Sequence, residues 1–204
     1  KAKKVKTKTF INFPGRENNF FKKIKKIIKK NEKIDIFVNY KKINLASNAI
    51  HYLDLFQFLK KSQEYFLLKI NLKDKIYKSS RKGFMEFKGK IAFSNDSDDI
   101  IQIEENSENS GYLIISTCSQ MYVIYEENNS YLHINFFSNN KNNIKYFTQP
   151  LQSDLTLIYL KKLLNKKKLE ITDLNESFLT HKIIINTFNT HVKKISNKSN
   201  LRIT

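Results

Sequence analysis

Cysteine occurs once in this chain of 204 residues, as Cys118; proline occurs twice, glycine four times and tryptophan not at all. One cysteine excludes an internal disulfide framework and a cysteine-built metal site, and suits a reducing compartment. With so little glycine there is no phosphate-cradling glycine-rich loop, and no G-x-S-x-G elbow occurs. No apolar run approaches ~18 residues, so no transmembrane helix is expected. Acidic groups are also few, 19 Asp and Glu against 37 Lys and Arg. Among the four histidines, His51, His133, His181 and His191, no two share metal-ligand helical spacing. Nothing in the sequence gives His181, His191 and the acidic residues the geometry of a nuclease site. No metal, cofactor or catalytic residue is therefore expected. The chain opens on Lys1, not Met, so any targeting signal is expected to lie outside it.

What is present is apolar residues and positive charge. Hydrophobic residues make up 40%, with 16 Phe and 10 Tyr, enough for a packed core. The net charge of +18 and pI near 9.8 oppose compaction by self-repulsion unless a polyanion neutralises them. Nucleic acid is the first candidate and a membrane surface the second. The wealth of Lys, Asn, Ile and Phe also resembles AT-rich codon bias, so part of the lysine excess is mutational. Asn can stand in for glycine where φ is positive.

Residues 1–19 read as a basic tail with a Pro14-Gly15 turn. Phe20, Phe21, Ile24, Ile27 and Ile28 recur at helical spacing over 20–30, with Asn18 or Asn19 as cap and six lysines on the other face. Strands are expected at Lys33–Val38, Tyr65–Leu72, Phe84–Lys88, Ile91–Phe93 and Asp99–Ile103, then at Gly111–Thr117, Met121–Tyr125, Tyr131–Phe137 and Ile183–Phe188. A second helix runs over 47–61, capped by Ser47. A third spans about 154–168, with Leu157, Leu160, Leu163 and Leu164 inward. Residues 94–110 are an acidic loop; Asp96-x-Asp98 resembles the start of a calcium loop but lacks its glycine and late glutamate. The Asn128-Asn129 pair marks a turn, 138–143 a linker, and 189–204 a basic extended end. The fold class is α+β. An N-terminal α/β part (20–93) is followed by a mostly-β part with the acidic loop (94–137) and a basic C-terminal extension carrying a helix (138–204).

Several segments resemble the S-eight family of small-subunit ribosomal proteins. Gly111-Tyr112-Leu113-Ile114-Ile115-Ser116-Thr117 is similar to that family's Gly-x-x-x-x-Ser-Thr-Ser segment, which turns toward rRNA. Asn31 to Ile36, Ile50 to Phe66, Ser80-Arg81-Lys82-Gly83 and Tyr131 to Phe137 resemble further family segments. The pattern is broken where Cys118, Ser119 and Gln120 replace Ser, Lys and Gly. A rival resemblance lies in 144–204. There Thr190-His191-Val192-Lys193-Lys194-Ile195-Ser196 is similar to a loop of the S-ten family.

The resemblance implies a non-enzymatic structural constituent of a mitochondrial or other AT-rich organellar small ribosomal subunit. Its partners would be small-subunit rRNA and neighbouring small-subunit ribosomal proteins, with no membrane and no small-molecule substrate. Lys22, Lys25, Lys26 and Lys29 would contact phosphate. Ser80, Lys82, Ser116, Thr117 and Ser119 would approach the RNA minor groove, with Cys118 turned into the β core. Lys193 and Lys194 would add contacts on the S-ten reading. The alternatives are an S-ten-type protein with an N-terminal extension, an RNA-processing enzyme, or a membrane-peripheral protein anchored by the first helix.

Overall fold

The computed structural model describes residues 9–29, 31–105, 111–127, 130–137, 143–148, 151–165 and 169–196. The elements, in chain order, begin with β1 (Phe10–Ile11), a 3₁₀ turn (Pro14–Glu17), α1 (Asn19–Ile27), β2 (Ile34–Tyr40) and α2 (Leu45–Leu59). Next come β3 (Tyr65–Leu72), β4 (Tyr77–Lys78), β5 (Met85–Glu86), β6 (Gly89–Asn95) and β7 (Ile100–Glu105). They continue with β8 (Tyr112–Thr117), β9 (Gln120–Glu127), β10 (Ser130–Phe137) and β11 (Asn143–Thr148), and end with α3 (Gln152–Leu164), β12 (Thr172–Asp173) and α4 (Leu174–Ile195). The α+β class holds.

Eight strands form one sheet in the order β11-β10-β9-β8-β2-β7-β6-β3. Only β2 and β7 pair in parallel; the other neighbours are antiparallel. Strand alternation places alternate residues on one face. In register across the sheet, Phe93, Ile101, Ile36, Ile115 and Tyr122 make one buried row. Ile91, Ile103, Val38, Leu113 and Ile124 make the next. Both rows belong to the same core as the apolar residues of α1, α2 and α4.

The α2 helix is apolar nearly all round and correspondingly buried among other elements. It starts two residues before the expected Ser47 cap, with Asn44 in the left-handed region at φ 52°. Glu86 closes its first turn: Ala46 N–H donates to Oε2 at 2.8 Å, and the Ser47 hydroxyl donates to Oε1. A carboxylate suits a helix N-terminus.

Three expectations are corrected here. Ile183–Phe188 is the interior of α4, not a strand, and the helix runs on through the supposed extended end to Ile195. Its β-branched run carries β propensity, but Asp173 caps the helix through Asn175 N–H and Glu176 N–H at 2.8 and 2.9 Å. Ser177, Thr180, Ile184, Phe188 and His191 are then buried at helical spacing. In α3, the expected inward Leu157, Leu160, Leu163 and Leu164 are exposed, while Leu155 and Tyr159 face the core. Lys162, three residues past Tyr159, reaches Glu17 at 2.7 Å. Cys118 is exposed, because β8 ends at Thr117 and strand alternation stops there. The Asn18 cap holds, accepting from Phe20 N–H at 2.8 Å. The Asn128-Asn129 turn, residues 1–8 of the tail, 106–110 of the acidic loop, 138–142 of the linker and 197–204 lie outside the described residues.

Candidate functional site

Between α2 and the helix-covered face of the sheet lies a cavity of about 310 Å³. Its walls include the buried Phe21, Ile43, Leu55, Leu113 and Ile124. Its polar groups are Lys42 and Asn48, with His51, Tyr40 and Tyr52. Tyr40 ends β2, Lys42 sits in the loop to α2, and the other three stand on the first turns of α2. Tyr40 and Tyr52 stack with ring centroids 6.0 Å apart. The Asn48 side-chain amide donates to the Ile43 carbonyl, which pins the loop to the helix.

His51 lies edge-on to Phe13 at 5.4 Å, and Phe13 also packs on His181 at 6.2 Å. The His51 side chain reaches solvent, yet the groups crowding it desolvate the imidazole. That desolvation lowers its pKa, with a smaller push from the charge of His181. A neutral imidazole at a cavity mouth can accept a proton from a hydroxyl or donate one back. The His181 Nδ1–H donates to the Ser177 carbonyl at 2.8 Å, an assignment made from the acceptor-only character of the carbonyl.

One turn along α2 from His51, Asp54 is fully buried. Arg16 donates to it from Nε at 3.0 and 3.1 Å and from Nη2 at 2.8 Å. Thr172 Oγ1 adds a bond at 2.6 Å. Arg16 Nη1 also meets Glu176 at 2.7 Å. This network locks α2 to the 3₁₀ turn and to the start of α4, and so sets the helix face that carries His51. Sequence reasoning counted His51 among the histidines and gave it no role. The available signal was a polar pair, His51 and Asp54, at i and i+3 in a mostly apolar helix.

The residues expected at an RNA surface stand on four separate elements. Lys22, Lys25 and Lys26 line a cleft of about 480 Å³ with Phe58 and Glu170. Lys22 is paired with Glu17, and Lys25 Nζ sits 3.8 Å over the Phe58 ring. Burial lowers the Lys25 pKa. Lys29 is exposed beyond the end of α1. Ser80 and Lys82 are exposed between β4 and β5. Ser116 is half-buried in β8, opposite Asp35 and Met121. Thr117 Oγ1 accepts from Ser119 N–H and Gln120 N–H at 3.3 and 3.1 Å, and the Ser119 hydroxyl donates to Glu32 at 3.0 Å. These hydroxyls thus hold their own hairpin and a carboxylate. Lys193 and Lys194 are exposed in the last turn of α4, where cations complement the helix dipole. His191 is buried in that helix, near the Lys73 carbonyl at 3.2 Å, and not in a loop. Among the described residues, no three His, Cys, Asp or Glu side chains could hold a metal ion, and no helix is long and apolar enough to cross a membrane.

No known family's profile matches the chain, and no curated protein does. Solved structures do match in fold. The aldose-aldose oxidoreductase from Caulobacter crescentus, complexed with glycerol, superposes with a TM-score of 0.62 at 11% identity, over 95% of this chain and 64% of that one. The WlbA dehydrogenase from Bordetella pertussis, in complex with NADH and UDP-GlcNAcA, gives 0.57 at 13% identity over 95% and 63%. The super-repressor mutant of Gal80p from Saccharomyces cerevisiae gives 0.56 at 12% identity over 98% and 68%. The chain thus spans about two thirds of the length of each of these proteins.

This likeness overturns the ribosomal assignment. The chain has the fold of these oxidoreductase-type proteins, not that of the S-eight or the S-ten family. The expected rRNA and ribosomal-protein partners and the expected role as a structural constituent fall with it. The expectations of no enzyme and no small-molecule substrate are corrected too. Dehydrogenases and oxidoreductases share this fold, and solved examples hold NADH, NADP or a nucleotide sugar. The misreading has a physical origin. An amphipathic hairpin ending in hydroxyls is common to many sheets, and some of the lysines, Lys22 and Lys25 among them, pair with carboxylates or lie on rings.

The described residues do not fit a nicotinamide dinucleotide. The β2–α2 connection is the strand-to-helix turn that a pyrophosphate would need, and it holds no glycine. Two carboxylates occupy it already: Glu86 on the first turn of α2, and Glu105, which accepts from Asn44 N–H at 3.0 Å.

Proposed function

We propose that this chain is a ligand-binding part of an oxidoreductase-type fold acting on sugars, with the cavity beside His51 as its substrate site. The observation that carries the reading is the placement of His51 among the residues lining the cavity. That histidine stands at the mouth of an aromatic-walled cavity, on a helix that a buried ion pair holds in place. The volume suits one sugar ring, near the lower bound of ligand pockets, ~300 Å³. Tyr40 and Tyr52 offer aromatic faces to a ring's C–H side, while Asn48, Lys42 and His51 offer polar groups to its hydroxyls. In this role His51 hydrogen-bonds a substrate hydroxyl, accepting its proton or donating to its oxygen.

An NMR titration of the full chain with UDP-N-acetylglucosamine and with D-glucose tests the reading. Resonances of His51, Tyr40, Tyr52 and Asn48 are expected to shift saturably, and His51→Ala should weaken the response. Shifts confined to the lysine cleft on α1, or no shift with either sugar, would remove this site from consideration.

A further inference from the structure

The groups lining the cavity are unbalanced in charge. Among the described residues no Asp or Glu lines it, and Lys42 is its one lysine or arginine. Lysines elsewhere in the fold have carboxylates: Lys60 holds Asp99 at 3.1 Å, Lys61 holds Glu176 at 3.1 Å, Lys88 holds Glu105 at 3.4 Å and Lys90 holds Glu104 at 3.0 Å. Lys42 forms no ion pair among the described residues. Glu105, the carboxylate that closes its loop, is engaged by Lys88 and by Asn44 N–H. Among the described residues the charge on Lys42 therefore has no counter-ion beside an apolar, aromatic cavity. A charge beside a low-dielectric wall attracts an opposite charge more strongly than one in open water does.

We propose that Lys42 makes the cavity selective for a sugar-type ligand bearing an anionic group, a carboxylate or a phosphate. This rests on the reading of the cavity as a sugar site and adds to it the class of ligand. The anionic group sits at the loop end, against the ammonium of Lys42. The ring then lies along Tyr40 and Tyr52, and one hydroxyl comes to His51. Lys41, the preceding residue, is equally exposed but does not line the cavity, so it serves as an internal control for the general field of a chain with net charge +18.

The test measures binding of three probes to the full chain at one ionic strength: D-glucose, D-glucuronate and D-glucose 1-phosphate. Wild type should bind at least one anionic probe roughly tenfold more tightly than glucose, as expected for a hydrogen bond between charged groups at a partly exposed site. The tighter of the two anions identifies carboxylate or phosphate as the group. Lys42→Met should reduce the advantage to about twofold or less, Lys42→Arg should keep most of it, and Lys41→Met should leave it unchanged. An anionic advantage of equal size in Lys42→Met would assign it to the overall charge and overturn the inference, as would equal binding of all three probes by wild type. Both results leave the sugar site standing. Failure of all three probes to bind would instead remove the site itself, and the inference with it. Lys42 is exposed, so an unchanged melting temperature in the variants confirms that binding, not folding, is being read.

Discussion

The carboxylate of Asp54 receives three hydrogen bonds from the guanidinium of Arg16, at 2.8 to 3.1 Å, with both side chains almost wholly out of water. Asp54 lies one turn from His51 on α2, so this pair fixes the helix that carries the candidate site. Removing one partner strands a buried charge. Arg16→Met should therefore destabilise the fold by about 3–5 kcal/mol in denaturant unfolding. Replacing both partners with apolar residues, Arg16→Met with Asp54→Leu, should recover much of that loss. A cost for the double variant equal to or above the single one would contradict an ion pair whose desolvation is its main expense.

His51 should titrate below its ordinary value of 6.5, because crowding desolvates it and His181 adds a like charge. The unfolded chain then binds the proton more readily than the folded one. Stability should be flat above about pH 6.5 and should decline as pH falls from there toward the lower folded midpoint. His51→Gln should flatten that part of the profile. An NMR titration that places the His51 midpoint above 6.5 would contradict the crowded environment described for the ring.

Gly111 and Tyr40 supply a steric test of the cavity wall. A Cβ built on Gly111 would fall 1.8 Å from Tyr40 Cδ1, so Gly111→Ala forces the Tyr40 ring out of place. The expected cost is about 1–3 kcal/mol from overpacking, with loss of sugar binding at the cavity. Gly83 is the contrast. It has φ +86° and nothing within 4 Å of an added Cβ. Gly83→Ala should cost only about 1 kcal/mol of backbone strain and leave binding intact. Equal effects of the two substitutions on binding would show that Tyr40 does not shape the site.

Much of the sheet was legible from alternation. Tyr65–Leu72 matches β3 end for end, and the expected strands from Gly111 to Phe137 recur as β8, β9 and β10. In β8, Leu113 and Ile115 are buried with less buried residues between them, and a period of two records that face. The order of strands in the sheet was not legible, because β2 lies between β7 and β8 through pairings 65 or more residues apart in sequence. The site was illegible for a related reason. Lys42 and His51 are close in the chain, but Phe21 and Ile124 reach the cavity only through the tertiary fold. Charge misled the reading because lysine count says nothing about pairing. Lys22 and Lys162 both serve the buried Glu17, 5 and 145 residues away.

Cys118 gives a direct check on the β8–β9 hairpin. Its exposure at the turn predicts complete reaction with a thiol reagent in native buffer, at a rate close to that of the unfolded chain. Labelling should leave the melting temperature nearly unchanged, since the side chain is exposed. Protection of the thiol until denaturant is added would mean that strand geometry continues past Thr117 and buries the sulfur.

The last prediction separates the observed helices from those read off leucine spacing. Phe188 is fully buried in α4 and stacks on Phe87 at 4.8 Å with an interplanar angle of 13°. Leu164, at the end of α3, is 82% exposed. Phe188→Ala removes a packed ring and leaves a cavity, so it should cost about 3–5 kcal/mol. Leu164→Ala lies on the surface and should stay within about 0.5 kcal/mol of wild type. If 183–188 were instead a strand and Leu164 faced the core, the leucine substitution would cost about 2–5 kcal/mol. Equilibrium unfolding of the two single variants under the same conditions decides between these packings. A larger loss for Leu164→Ala than for Phe188→Ala would rule out the observed seating of α3 and α4. With it would go the anchorage that Glu176 and Thr172 give to Arg16, Asp54 and the helix bearing His51.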